Sequence, residues 1–269
     1  MSHPLDTALA LQPLGGDRFE GCTSPAYANM IGPFGGPTAA VALQAVLQHP
    51  DRQGEPVSLT VNFAAALAEG PYEVTARAVR TNRSTQHWLV EMTQAGAVVL
   101  TATAVLAQRR PTWSALDLPA PTGVPAAETL ASAPNTPRLA WVQRYDMRFI
   151  EGGLPDALDG VEQPHAHSRL WLRDEPPRPL DFAALTALCD AFFPRIYLRR
   201  RRLVPIGTVS MTVYFHADAA LLAEQGPQHV LADVRGHVYR NGYFDQSAEL
   251  WSAAGSPLAT TTQVVYYRE

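Results

Sequence analysis

Alternating apolar and polar positions run through eight segments of the chain, and this period of two predicts β-strands. The segments are rich in Val, Thr, Tyr and Trp, which favour extended structure. Short turns such as Ala95-Gly96 and Ala254-Gly255 suit antiparallel hairpins. The predicted strands span about 57–65, 71–81, 85–95 and 97–107 in the first half, and 207–217, 228–240, 243–253 and 257–267 in the second.

A helix is predicted ahead of each group of four strands. In the first half, Pro37 suits a first helical turn, and the run 38–47 is apolar on all sides. That run predicts a buried helix, which ends before Pro50. In the second half, Asp181 is a candidate N-cap, apolar residues follow at helical spacing, and Pro194 ends the helix.

The two halves repeat each other in sequence. Residues 57–63 (VSLTVNF) match residues 209–215 (VSMTVYF) at an offset of 152, and residues 101–106 match residues 260–265 at an offset of 159. Matches in the same order indicate a duplicated unit. One buried helix followed by four antiparallel strands is an α+β unit whose sheet must curl around the helix. We therefore predict a tandem (double) hotdog fold.

A proline-rich segment separates the two copies. Prolines at this density cannot lie in a central strand or inside a helix, so we expect an extended linker across the surface. The predicted organisation is an N-terminal hotdog at 1–110, a linker at 111–139 and a C-terminal hotdog at 140–269. The prolines of the linker are Pro111, Pro119, Pro121, Pro125, Pro134 and Pro137.

Composition removes several classes of chemistry. All 21 basic residues are arginine, which excludes Schiff-base lysine chemistry and the lysine-dependent phosphate loop. The net charge of −4 argues against nucleic-acid partners. Cys22 and Cys189 are far apart and fit a reducing compartment. No signal peptide and no apolar run of about 20 residues is found, so we expect a cytoplasmic protein without membrane contact.

Several short motifs, in chain order, resemble the acyl-CoA thioesterase II family of double-hotdog thioesterases. They are Phe34-Gly35-Gly36-Pro37, Arg80-Thr81-Asn82-Arg83-Ser84, Leu188-Cys189-Asp190, Gly207-Thr208-Val209, and Thr261-Thr262-Gln263 with Arg268. The resemblance implies hydrolysis of acyl-CoA without a cofactor, with Asp190, Thr208 and Gln263 as the catalytic residues. The chain departs from the family at 63–66 and 215–218, where Arg-Pro pairs are common; these departures concern chain preference and coenzyme A contacts.

The chemistry of these three residues fits a water-attack mechanism. The pattern places Asp190 in the second helix among apolar residues, where burial would raise its pKa and make it a better base. Gln263 aligns with Ala104 of the first copy, so the second copy alone carries an amide that could hold a water. Thr208 could add a hydroxyl. A solvated helix face for Asp190 and outward-facing strand positions for Gln263 and Thr208 are the alternatives.

Two further features could contact substrate. Gly35 and Gly36 begin the first helix, where free backbone N–H groups could polarise the thioester carbonyl. The run Arg199-Arg200-Arg201-Arg202 could meet the phosphates of coenzyme A, or else contact acids or solvent. His165 and His167 have metal-like spacing but no third ligand nearby, so no metal site is expected.

Two other functions remain open at this point. One is a non-catalytic acyl-CoA-binding or scaffold protein with a degenerate site. The other is a double-hotdog enoyl-CoA hydratase, although its usual Asp and His pairing is missing from the second helix. Curled sheets leave edges that favour association, and the family commonly assembles, so we expect a homodimer.

Overall fold

The computed structural model describes residues 2–134, 139–155 and 157–269. They form one 13-stranded antiparallel sheet that curls around two central helices, and this is the predicted double hotdog. Twelve strands follow the path β1-β2-β4-β5-β6-β3-β9-β13-β12-β10-β8-β7, and β11 pairs with β12. The strands are β1 Gln12–Gly15, β2 Arg18–Cys22, β3 Glu55–Phe63, β4 Pro71–Thr81, β5 Thr85–Gln94, β6 Ala97–Ala107, β7 Tyr145–Glu151, β8 Ser168–Asp174, β9 Ile206–Phe215, β10 Val230–Arg235, β11 Tyr239–Arg240, β12 Tyr243–Trp251 and β13 Pro257–Tyr267.

The two halves join where β3 pairs with β9. The register sets Thr60 opposite Thr212, and their hydroxyl oxygens are 3.0 Å apart. These two residues are equivalent in the sequence repeat, because they differ by the offset of 152. A local twofold axis therefore passes between them, and each half contributes six strands of the twelve-strand path on its own side of the axis.

The eight predicted strands are present, with one correction. The segment predicted as a single strand at 228–240 is broken into β10 and β11. The Asp245 carboxylate accepts the backbone N–H groups of His237 and Val238, at 3.0 and 2.6 Å, and so holds the chain in a turn there. An outer hairpin in each half, β1–β2 and β7–β8, was not predicted.

The first central helix is as predicted. Helix α2, Gly35–Gln48, is buried on all sides, and residues such as Ala39, Leu43 and Val46 are fully enclosed. The remaining helices are α1 Pro4–Ala8, α3 Phe182–Leu188, α4 Arg195–Arg200 and α5 Ala219–Gln225. Short 3-10 turns occur at Pro25–Tyr27, Ala127–Thr129 and Ala140–Arg144.

The second central helix is shorter than predicted. Asp181 caps it by accepting the Ala184 N–H at 2.8 Å, but α3 ends at Leu188 and does not continue to Pro194. The chain turns tightly after it, since the Asp190 N–H bonds to the Ala187 carbonyl at 3.2 Å. Asp190 therefore lies in a turn between α3 and α4, and its predicted place inside the helix was wrong.

The proline-rich segment crosses the second half of the sheet. The Trp171 indole N–H donates to the Pro125 carbonyl at 2.9 Å, and Ala127 is buried against Trp171 and Trp251. Pro137 of the predicted linker lies outside the described residues. The segment therefore covers an apolar patch formed by β8, β10 and β12.

Candidate active site

Asp190 and Gln263 meet inside the second half of the molecule. The Gln263 Nε2 donates to Asp190 Oδ1 at 2.7 Å, and the two side chains are 6% and 3% exposed. Strand β13 supplies the glutamine from its inner face, and the turn after α3 supplies the carboxylate. Two residues 73 positions apart in sequence thus form one buried polar contact.

The N-terminus of α2, which belongs to the first half, packs against the contact between Asp190 and Gln263. The Gly36 backbone N–H donates to the Asp190 carboxylate. A Cβ at Gly35 would lie 2.8 Å from Asp190 Oδ2, and one at Gly36 would lie 2.6 Å from the Ala187 carbonyl oxygen. Only glycine lets the two helices approach this closely. The predicted glycines are therefore next to the predicted carboxylate.

Burial controls the protonation of Asp190. Loss of hydration raises its pKa to about 7, although the hydrogen bonds from Gln263 and Gly36 favour the carboxylate and oppose this rise. A carboxyl group with this pKa can exchange a proton near neutral pH. The site therefore contains a group suited to general base chemistry.

The strands place Gln263 in a row of inward-facing residues. Gln263 lies opposite Met211 on β9 and opposite Gln246 on β12. Its Nε2 is 3.7 Å from the Met211 sulfur. The corresponding row of the first half is entirely apolar, since Ala104 lies between Leu59 and Trp88. The polar row is therefore specific to the second half.

Gln246 was not identified from the sequence. It is 4% exposed, and its Oε1 has no hydrogen-bond partner among the described residues. The signal was present, because Gln246 aligns with Trp88 through the match of residues 91 and 249.

Thr208 is near the pair but does not contact it. It lies opposite Val265 on β13, because a β-bulge at Val209 shifts the register there. Thr208 therefore faces inward in the row of side chains adjacent to the row that contains Gln263. Within the described residues, its hydroxyl has no hydrogen bond to Asp190 or Gln263.

The arginine run extends from the end of α4, and most of it is engaged with carboxylates. Arg202 has no carboxylate partner among the described residues and is exposed. Its side chain runs past Gly160. The ion pairs of the others are Arg199–Glu162 at 3.6 Å, Arg200–Glu162 at 3.3 Å, Arg200–Glu269, and Arg201–Asp159 at 3.1 Å.

Aromatic rings pack on the side of the site where the halves meet. Phe34, at the start of α2, stacks on Trp141 with ring centroids 4.0 Å apart, and Phe193 packs against Trp141 at 6.3 Å. Tyr145 contacts the same group, and burial raises the pKa of its hydroxyl, with a smaller contribution from the charge of Asp190. The cluster adjoins the site along the chain, because Phe34 directly precedes Gly35 and Phe193 follows Asp190 by three residues.

The described residues offer neither a metal site nor a helix able to span a membrane. No group of three or more His, Cys, Asp or Glu side chains in them is placed to bind a metal, and His167 bonds instead to Asp233 at 2.8 Å. Across the same residues, the helices lack the length and apolar character that a membrane crossing requires.

Comparison with known proteins identifies the family. Residues 24–107 match the model of the acyl-CoA thioesterase N-terminal domain, and residues 121–267 match that of the C-terminal domain. A comparison with curated proteins gave no significant match.

Solved structures show the same fold over the whole chain. A conserved protein of unknown function with a hot dog fold from Alicyclobacillus acidocaldarius is 46% identical, with a TM-score of 0.94, covering 100% of this chain and 99% of that one. A putative thioesterase II from Thermobifida fusca is 19% identical, with a TM-score of 0.81 and coverage of 98% and 97%. An acyl-CoA thioesterase II, TesB2, from Mycobacterium marinum is 18% identical, with a TM-score of 0.77 and 98% of each chain covered.

The two domain models together cover most of the chain, in the order that the duplication predicts. The chain therefore belongs to the acyl-CoA thioesterase family, as a thioester hydrolase with a double-hotdog fold.

Proposed function

We propose that this protein hydrolyses acyl-CoA thioesters to the free acid and coenzyme A, by direct attack of a water on the thioester carbonyl carbon. The observation that carries the proposal is the buried contact between Asp190 and Gln263, which occurs in one half only. A carboxylate with a pKa near 7, fixed by an amide and a helix N-terminus, is suited to take a proton from water.

The proposed reaction has two steps. Asp190 takes one proton from the water as its oxygen bonds to the carbonyl carbon, and the carbonyl becomes an oxyanion. The intermediate then collapses, the carbon–sulfur bond breaks, and the proton on Asp190 passes to the leaving sulfur. This returns Asp190 to the carboxylate and requires no cofactor.

Groups around Asp190 take separate roles in this proposal. Gln263 and the Gly36 N–H hold the carboxylate, and the Gly35 N–H at the start of α2 polarises the thioester carbonyl. Thr208 contributes its hydroxyl from the neighbouring row. Because that hydroxyl makes no bond to the pair, Thr208→Val should reduce turnover less than the loss of Asp190.

Asp190→Asn is the decisive variant. It should lower kcat for medium-chain acyl-CoA by about 100-fold or more, because the base is lost. Release of free thiol, followed with a colorimetric reagent, measures this. Asp174→Asn is the matched control, since burial also raises the pKa of Asp174 to about 7 but Gln263 does not contact it. Full activity in Asp190→Asn would overturn the assignment.

The same assay distinguishes the other functions. A scaffold protein would bind acyl-CoA without releasing thiol. A hydratase would change the absorbance of an enoyl thioester and leave the thioester bond intact. The partners of Asp190 found here are an amide and a backbone N–H, which favours hydrolysis over the hydratase reaction.

We propose that the arginine run 199–202 meets the phosphates of coenzyme A, with Arg202 as the first contact. Its guanidinium is the member of the run without a carboxylate among the described residues, so it is free to pair with a phosphate. Arg202→Glu should raise KM for acyl-CoA about 3- to 10-fold.

A short thioester that lacks the nucleotide serves as the internal control for Arg202→Glu, because its KM should not change. Arg83→Glu, exposed in the turn between β4 and β5, serves as the control variant. Equal effects of Arg202→Glu on both substrates would contradict phosphate binding.

A further inference from the structure

Gln246 has a buried acceptor that the protein leaves unused. It lies directly opposite Gln263 on β12, with its side chain on the same inner face, and only 4% of it is exposed. Directly opposed side chains on an antiparallel pair have Cβ atoms roughly 5 Å apart. Its Oε1 has no hydrogen-bond partner among the described residues.

An unpartnered buried carbonyl is unfavourable for folding. Leaving such a group without a donor destabilises the folded state, so buried acceptors are almost always bonded to protein or water. At the equivalent position, the first half has Trp88, which packs over Ala104 as part of the core. The second half instead places a polar side chain directly opposite Gln263, the residue that donates to the Asp190 carboxylate.

The proposed reaction needs a second acceptor for the hydrolytic water. A hydrolytic water has two O–H groups, and Asp190 takes the proton of one. The second O–H must point to another acceptor if the oxygen lone pair is to face the carbonyl carbon. Gln263 donates through Nε2 to Asp190 Oδ1, so its bond holds the base.

We propose that Gln246 accepts the second O–H of the hydrolytic water through its Oε1, and thereby sets the direction of attack. This inference rests on the proposed hydrolysis and adds a residue to it. Water bound between Asp190 and Gln246 would have its proton facing the base and a lone pair facing the thioester.

Gln246→Met tests the proposal, because methionine has a similar length and no acceptor. It should lower kcat about 10- to 100-fold with KM for acyl-CoA changed less than about twofold. The thermal unfolding midpoint should stay the same or rise, because the change removes no hydrogen bond between Gln246 Oε1 and another described residue. Gln246→Glu should stay within about tenfold of the parent kcat, because burial keeps the acid neutral and its carbonyl still accepts.

Gln86→Met is the matched control. Gln86 is also a buried strand glutamine, but its amide makes four hydrogen bonds, to Asp51, Thr81, Gln53 and Trp88. This variant should lower the unfolding midpoint by roughly 4–8 °C and leave kcat unchanged.

The outcomes separate the inference from the function beneath it. An active parent protein with full kcat in Gln246→Met overturns the role of Gln246 and leaves hydrolysis standing. A lower midpoint and an unchanged kcat in Gln246→Met would make it a structural residue and would also overturn the inference. A parent protein that releases no thiol from acyl-CoA overturns the proposed function, and the inference with it.

Discussion

At the scale of single residues, the protonation of Asp190 is set by competing effects. Burial raises its pKa to about 7, while the Gln263 amide and the Gly36 N–H favour the charged form. The folded protein therefore retains a proton on Asp190 that the unfolded chain has lost at the same pH. The free energy of unfolding should fall as pH rises from about 4 to about 7, and Asp174 adds to this trend in the same direction.

The pH dependence of hydrolysis should report this group. We expect kcat/KM of the parent protein to rise with pH through about 7, as Asp190 loses its proton. Gln263→Met should move the rise to higher pH, because it removes a hydrogen bond that favours the carboxylate. Steady-state kinetics from pH 5 to 9 measure the pH dependence of kcat/KM for both proteins. An unshifted profile in Gln263→Met would show that the Gln263 amide does not control the pKa of Asp190.

At the scale of elements, the two central helices differ where the site lies. Helix α2 runs unbroken from Gly35 to Gln48, whereas α3 ends at Leu188 and α4 begins only at Arg195. The interruption frees the backbone to place Asp190 over the inner face of β13. The glycines of α2 then let its N-terminus approach the interruption.

Gly36→Ala should disturb this arrangement. The new Cβ would lie 2.6 Å from the Ala187 carbonyl oxygen and 3.1 Å from Asp190 Cβ, so the helices must separate. We expect unfolding to become easier by about 1–3 kcal/mol and kcat to fall about tenfold or more. Gly153→Ala, whose Cβ would meet Phe149 at an ordinary 3.4 Å, should change neither quantity. Denaturant unfolding and the thiol assay test this, and parent-like kinetics in Gly36→Ala would contradict it.

The burial of each element determines whether it can be predicted from the sequence. The inner strands were predicted because one face is buried and the other solvated, which leaves an alternating pattern. Strand β1 has no buried side chain, so no such pattern exists in it, and the alternation in β2 extends over only five residues. The end of α3 lies next to the contacts of Asp190 with Gly36 and Gln263. These contacts join residues that are far apart in the sequence, so the spacing of apolar residues along the chain does not predict them. Gln246 and Gln263 occupy the positions of Trp88 and Ala104 in the first half, and alignment of the two sequence repeats is enough to predict both differences.

At the scale of the whole molecule, the outer face of the second half exposes large apolar side chains. They lie on β9, β12 and β13 and are 38–52% exposed. Exposed apolar groups on neighbouring strands are typical of contact surfaces. We propose a homodimer that buries this patch against a second copy of the chain. Its residues are Val209, Tyr214, Tyr243, Val264 and Tyr266.

The proposed dimer can be tested by changing the patch. Sedimentation should give the mass of two chains for the parent protein and of one chain for Val264→Glu, because a charge would be buried in the contact. Val98→Glu is the control, since Val98 is similarly exposed, at 40%, but lies on β6 of the first half. A parent protein that sediments as a single chain would contradict the proposed assembly.

The pairing of Thr60 with Thr212 has a consequence for how such a molecule can change. In a pair of identical subunits, every substitution is inherited twice, once on each side of the axis. Here both sides belong to one gene product, so a substitution is inherited once. One half could keep an unbroken helix and Trp88 as rigid support, while the other acquired a broken helix and two glutamines. Because the two halves are fused in one chain, one half can supply rigid support while the other carries the site. In a pair of identical subunits, a single sequence would have to serve both purposes.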